Sequence, residues 1–183
     1  MKRKATDSKS VDGERFKQKR LPSAKSKVVS LLARREHSQQ ELKAKLTQRG
    51  YTDEEASDAI RWAASHQFQS DERFALSLFR RRASTFGDRA IHAELGQHGL
   101  SSSQLVPIDT AEPVCEIERA MAWIKRRKAA ALHALQAEHD SIDSAELLKL
   151  KSSVFRALGS RGFEFSHIDQ AWRRILGEFN SNA

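Results

Sequence analysis

Between Ser38 and Tyr51 the chain reads SQQELKAKLTQRGY, a polar stretch with few but regularly placed apolar positions. Leu42 and Leu46, four residues apart, fall on one face of a helix. Ser38 stands three residues before Glu41, so its hydroxyl is predicted to accept the Glu41 amide while that carboxylate reaches back, forming a capping box. Gly50 follows where the helix needs a left-handed stop, and Tyr51 is placed to fold back onto the last turn. The unit reads cap, short helix, glycine stop, apolar residue.

The unit recurs. In AIHAELGQHGL, residues 90–100, Ile91, Leu95, Gly99 and Leu100 repeat the pattern, and in SVFRALGSRGF, residues 153–163, Val154, Leu158, Gly162 and Phe163 do so again. The glycines at 50, 99 and 162 are separated by 49 and 63 residues. A module used three times at such spacing is the signature of a repeat architecture.

The flanking periodicity fills in the rest. Val28, Leu31 and Leu32 predict a helix from about Ser26, and Thr52 with Glu55 caps a helix to about Ser65 that turns Ala56, Ala59, Ile60 and Ala63 inward. Ser70 caps a helix with Phe74, Ala75, Leu78 and Phe79 as its stripe, while Asp71 and Glu72 favour its dipole. Gly87 and Asp88 restart the chain. Ser101 or Ser102 would cap a further helix, which Pro107 must shorten, leaving 107–113 as a linker. From about Val114, Ile117, Ala120, Met121 and Ile124 are spaced for burial with Trp123 beside them, and AAALHALQAEH extends that helix. The added length of the third repeat lies there. Ser166 opens a last helix carrying Ile168, Ala171, Trp172 and Ile175.

The expectation is an all-α protein of three tandem three-helix repeats, at 26–68, 69–112 and 113–179, behind a disordered tail, 1–25. A narrow apolar stripe leaves a trio unable to bury its face alone, so the trios are expected to stack into an elongated, curved array. Composition agrees: there are only eight glycines and three prolines in 183 residues, and good helix formers dominate. The single cysteine, Cys115, has no internal partner and suits a reducing compartment. With no apolar run near the ~20 residues of a membrane span and no signal-peptide core, the expectation is a soluble, cytoplasmic chain.

The net charge of +8 is unevenly placed. Residues 1–27 hold ten Lys or Arg against three acids, and residues 28–183 hold 22 against 21. The tail is either an arm for phosphate backbone or an acidic partner, with salt-sensitive affinity, or a solubilising segment. The nearly neutral body argues against a dedicated nucleic-acid clamp. Seven histidines fall in no zinc spacing, and Walker, dinucleotide and GxSxG motifs are absent from the sequence. No catalytic centre, metal site or cofactor is expected.

Four segments in order carry a family resemblance: SLLARREHSQQELKAKLTQRGY, SDERFALSLF, FGDRAIHAELGQHGL and LLKLKSSVFRALGSRGFEF. Over about residues 26–176 they look like the successive signatures of RecX regulatory proteins. The resemblance implies three tandem three-helix repeats and a modulator of the RecA recombinase that lies in the groove of the RecA filament on single-stranded DNA. It also implies suppression of strand exchange, ATP hydrolysis and coprotease activity in DNA repair and the SOS response. Pro107, Gly96 and the tail depart from the pattern.

Each repeat closes its first helix in a basic knot: Arg34 and Arg35; Arg80, Arg81 and Arg82; Lys125, Arg126, Arg127 and Lys128. Cations there complement the helix dipole. Recurring at similar places, they would also line a basic strip for phosphates or an acidic filament surface. Lys43, Lys45, Arg49, Arg89 and Arg161, on or beside the second helices, complete the strip or are a solvated face. The partners expected are the RecA filament and, weakly and directly, DNA through tail and strip, with the chain a monomer. The rival reading is a helix-turn-helix protein acting on duplex DNA without RecA, although no helix presents Arg, Asn and Gln on successive exposed turns.

Overall fold

The computed structural model describes residues 22–100, 115–137 and 144–181. Among them the chain is helical, without strands: α1 (Ala24–Leu32), α2 (Gln39–Thr47), α3 (Asp53–Ser65), α4 (Asp71–Arg82), α5 (Asp88–Gln97), α6 (Glu116–Arg127), α7 (Ala129–Ala137), α8 (Ser144–Gly159) and α9 (Phe165–Ser181). No described helix is long and apolar enough to cross a membrane. The tail up to residue 21, the helix expected after Ser101, the effect of Pro107, and residues 138–143 lie outside the described residues.

The three stop glycines adopt the backbone that their position in the pattern demands. Gly50, Gly99 and Gly162 have φ of 87°, 79° and 81°. The next residue's N–H then donates back across the last turn, Tyr51 to Leu46 O at 3.3 Å, Leu100 to Leu95 O at 3.3 Å and Phe163 to Leu158 O at 3.2 Å. This is the Schellman closure, and it turns each following apolar side chain into the core. Tyr51, Leu100 and Phe163 are all buried.

Two expected helix starts shift for local reasons. Ser23, not Ser26, caps α1, accepting the Ser26 amide at 3.2 Å, and the Tyr51 hydroxyl donates to Pro22 O at 2.6 Å. Helix α1 therefore begins inside the segment assigned to the tail. Helix α9 starts at Phe165, its first backbone bond running from Ile168 N to Glu164 O at 2.9 Å. The lengthened first helix of the third repeat is instead two helices. Lys128, at φ −119° and ψ 16°, leaves the helical region between α6 and α7, and its Nζ donates to Ser153 Oγ on α8 at 2.9 Å.

Each repeat closes its own core. Val28, Leu42, Leu46, Ala56 and Ala63 are fully buried among α1–α3. Phe74, Leu78, Ile91 and Leu95 are buried between α4 and α5, and Ile124, Leu158, Ile168, Trp172 and Ile175 among α6, α8 and α9. A buried leucine stabilises by about 1.5–3 kcal/mol through removal from water, so each cluster is a substantial local store of stability. The inward faces match the periodicity of the sequence. What differs is the contact between repeats, which is polar where the stripe argument called for apolar stacking.

Both joints follow one plan. In the first, Asp71, the opening residue of α4, accepts the amide of Gln39, the opening residue of α2, at 3.0 Å. In the second, Glu116, opening α6, accepts the amide of Asp88, opening α5, at 2.7 Å. A carboxylate from each following repeat thus caps the second helix of the one before, satisfying an N–H that a helix end leaves orphaned. At α5 this replaces a missing cap, since Gly87 has no side chain to supply one.

The stop glycines sit in the same joints. A Cβ on Gly99 would meet Gln40 Oε1 of α2 at 2.6 Å, and one on Gly162 would meet the Ala90 backbone N of α5 at 2.7 Å. Gly87 is equally confined, against the Phe163 backbone N at 2.3 Å, and its N–H donates to Arg161 O at 3.0 Å. Gly50, in the first repeat, has open space around it. Gly50→Ala therefore costs only the left-handed backbone, about 1–2 kcal/mol, while Gly162→Ala adds crowding of about 1–3 kcal/mol. Urea denaturation of the two variants checks the order; equal losses would mean that the joint yields freely.

Candidate partner-binding surface

Most cations of the expected strip are engaged at home. Arg35 forks onto Glu41, with Nη1 to Oε2 at 3.1 Å and a second, shorter contact from Nη2 to Oε1. Lys45 Nζ lies 3.5 Å from Glu41 and Lys43 Nζ 3.4 Å from Asp53. Arg82 donates bidentately to Glu94, and its hydrogen bonds to that carboxylate raise the pKa of the guanidinium. Lys125 Nζ lies 2.6 Å from Glu178.

Backbone carbonyls take others. Arg49 donates to Lys45 O at 2.6 Å and Arg161 to Ala157 O at 2.7 Å, both near helix C-termini where a cation favours the dipole. Arg89 reaches Gly159 O at 3.4 Å. Arg34, Arg81 and Arg127 are exposed. The dipole and ion-pair role thus accounts for much of the charge that the sequence set out as a strip.

What the fold brings together is the second and third knots. Arg80 of α4 and Arg126 of α6 line one cavity of about 330 Å³, with Phe79, Ala83, Ala122 and Trp123 as its apolar surface. Arg126 crosses the joint to donate to Ser84 O at 3.1 Å. In the first knot Arg35 pairs with Glu41 of its own repeat, and Arg34 is exposed.

Beneath this cavity lies a residue that periodicity did not single out. Arg119 is buried on α6, donating to Ala83 O and Phe86 O at 3.2 Å each and to Asp88, with its guanidinium 5.0 Å from the Phe79 ring. Its counterpart at the first joint is Arg73, which donates to Glu36 at 2.9 Å and to Gln67 O and Phe68 O at 3.0 Å. A signal was present in the sequence: Glu116 and Arg119 share the helical face of Ala120, Trp123 and Ile124, and charge on a buried stripe needs a partner.

Glu116 also accepts the Glu164 amide at 3.3 Å and lies 2.5 Å from His167 Nδ1. Donor atoms of Glu116, Glu164 and His167 fall within 4.8 Å of one another. This is the grouping nearest to a metal centre among the described residues. The Glu116 carboxylate, however, already serves the amide-rich, positive ends of α5 and α9, an environment that favours an anion over a cation.

The first repeat carries its own buried polar centre. Ser38 Oγ accepts the Glu41 amide at 3.1 Å as expected, but the Glu41 carboxylate goes to Arg35 and His37 in place of closing the box. The full box forms at Thr52 and Glu55. His37 is 3% exposed, with Nδ1 2.9 Å from Glu41 Oε2. Gln69 Nε2 bonds His37 O at 3.2 Å and Asp71 Oδ1 at 2.8 Å, tying this centre to the first joint.

Burial holds the His37 imidazole below its ordinary pKa of 6.5 despite Glu41. For Glu41, burial pushes the carboxyl up, but the bonds from Arg35 and His37 outweigh it, leaving it below 4.5. Near pH 6 the unfolded chain consequently binds more protons at position 37 than the folded one. That contribution to stability is complete above about pH 6.5 and is lost as pH falls through the lowered value; Glu41 adds a loss of the same sign below about pH 4.5. The melting temperature should fall between pH 7.5 and 5.5, and His37→Gln should flatten that fall. Thermal melts followed by circular dichroism at several pH values check it.

Comparison with known proteins adds to this geometry. Residues 24–62 match the family model described as RecX, first three-helix domain. A regulatory protein RecX of Xanthomonas campestris pv. campestris (strain B100) is 35% identical over 162 residues, 88% of this chain and 91% of the relative. One from Stenotrophomonas maltophilia (strain K279a) is 40% identical over 124 residues, 67% of this chain and 76% of the relative. The crystal structure of RecX from Lactobacillus salivarius superposes with a TM-score of 0.63 at 14% identity, covering 83% of this chain and 94% of that one, and so supports the fold.

Proposed function

This chain belongs to the RecX family of regulatory proteins, and from that premise we propose that it modulates the RecA recombinase by seating in the groove of the RecA filament on single-stranded DNA. The observation that carries the reading is the meeting of two basic knots across the second joint, where Arg80 and Arg126 border one cavity and Arg81 and Arg127 are exposed beside them. A row of separately cored repeats linked by polar joints suits a periodic partner, because each repeat can meet a different subunit. The chain acts as a monomer without catalysis of its own. It lowers ATP hydrolysis, strand exchange and coprotease activity by occupying the groove and hindering filament growth or entry of a second DNA.

Within this reading, charge near the second joint provides attraction and register for an acidic filament surface or DNA backbone, while the apolar cores provide only the scaffold. Direct binding to DNA alone is weak and salt-sensitive. The test is ATP hydrolysis by RecA on single-stranded DNA with the protein added at a low ratio, alongside binding to bare duplex. Inhibition is the expected result; tight, sequence-selective duplex binding without effect on RecA would overturn it. The double reversal Arg81→Glu, Arg127→Glu should raise the concentration needed for inhibition by about tenfold with an unchanged melting curve, because neither side chain belongs to a core.

A further inference from the structure

The cleft between α4 and α6 has a composition that basic knots alone do not explain, and we propose that it docks an acidic peptide segment of a protein partner through one aliphatic side chain. Its volume is about 330 Å³, room for a side chain or two. The walls from Phe79, Ala83, Ala122 and Trp123 are apolar, and the rim carries Arg80 and Arg126. Glu118 is the one carboxylate among the lining residues, and the exposed Arg81 and Arg127, next in sequence to Arg80 and Arg126, add positive charge beside the mouth.

The chemistry selects peptide over nucleic acid. A base would need an open aromatic face to stack on. Here both rings already carry a guanidinium, Arg119 at 5.0 Å from the Phe79 ring and Arg161 at 5.2 Å from the Trp123 ring. Apolar edges and methyl groups remain, which suit an aliphatic side chain.

Arg126 makes one hydrogen bond among the described residues, to Ser84 O at 3.1 Å. The other N–H groups of its planar fork are then donors for a carboxylate. An apolar anchor flanked by arginines is also the usual composition of an interface hot spot.

The inference rests on the reading that the partner is a protein, and its test is separate from the RecA assay. Fluorescence anisotropy would follow a labelled ten-residue polyglutamate peptide with one central leucine, the same peptide with serine in its place, and labelled oligothymidine. With the full chain, the leucine peptide should bind saturably and at least tenfold more tightly than the serine peptide. Arg126→Glu and Ala122→Phe, the latter filling the cleft without changing charge, should each weaken it tenfold or more, while Arg61→Glu on α3 should not.

If Arg126→Glu lowers the melting temperature, Arg126→Gln replaces it. Equal binding of the two peptides, unchanged binding by Ala122→Phe, displacement of the peptide by oligothymidine, or no binding would each overturn the proposal. Suppression of RecA by a chain that fails these peptide tests would remove the cleft alone. Peptide binding by a chain inert towards RecA would keep the cleft and remove the modulator reading.

Discussion

A short helix ends in backbone N–H groups that its own ladder cannot satisfy, and where such an end is covered by another part of the chain the partner must come from outside the helix. This protein meets that requirement with carboxylates from the next repeat. Asp71 serves the start of α2, and Glu116 serves the starts of both α5 and α9. Since each acid is itself the first residue of a helix, the arrangement gathers several positive helix ends around one negative group. Neighbouring repeats are joined through it.

Polar joints have a structural consequence. Stability is held in three separate apolar clusters, so the joints carry register and little of the burial. Directional bonds such as Asp71 with Gln39 and Arg119 with Ala83, Phe86 and Asp88 set the angle between neighbours. The stop glycines admit the close approach, for a Cβ at Gly162 would strike the Ala90 backbone. One residue type therefore answers two demands, left-handed backbone within its own repeat and clearance against the preceding one.

Charge on the surface is arranged by the same economy of short elements. Arginines and lysines at helix ends complement dipoles and pair with neighbouring acids, as Arg35 does with Glu41 and Arg82 with Glu94. The basic knots stand out from this background only at the second joint, where α4 and α6 bring Arg80 and Arg126 to the edge of an apolar cavity. A surface patch of that kind is made by two repeats together.

The sequence by itself determined the modules: the leucines at 42 and 46, 91 and 95, 154 and 158, the left-handed glycines, and the apolar residues that follow them all behave as their spacing requires. It also carried the family resemblance and the inward faces of α3 and α4, because 3.6-residue periodicity and cap chemistry are local properties. What only the tertiary structure decided was which groups meet across repeats. Asp71 and Gln39 are 32 residues apart, and Glu116 and His167 are 51 apart; no local rule pairs them, and their hydrogen bonds exist only once the helix ends converge. The same holds for the Glu41 carboxylate, which the capping-box spacing assigned to Ser38 and which the fold gave to Arg35 and His37, where a buried imidazole and a guanidinium offered the stronger partners.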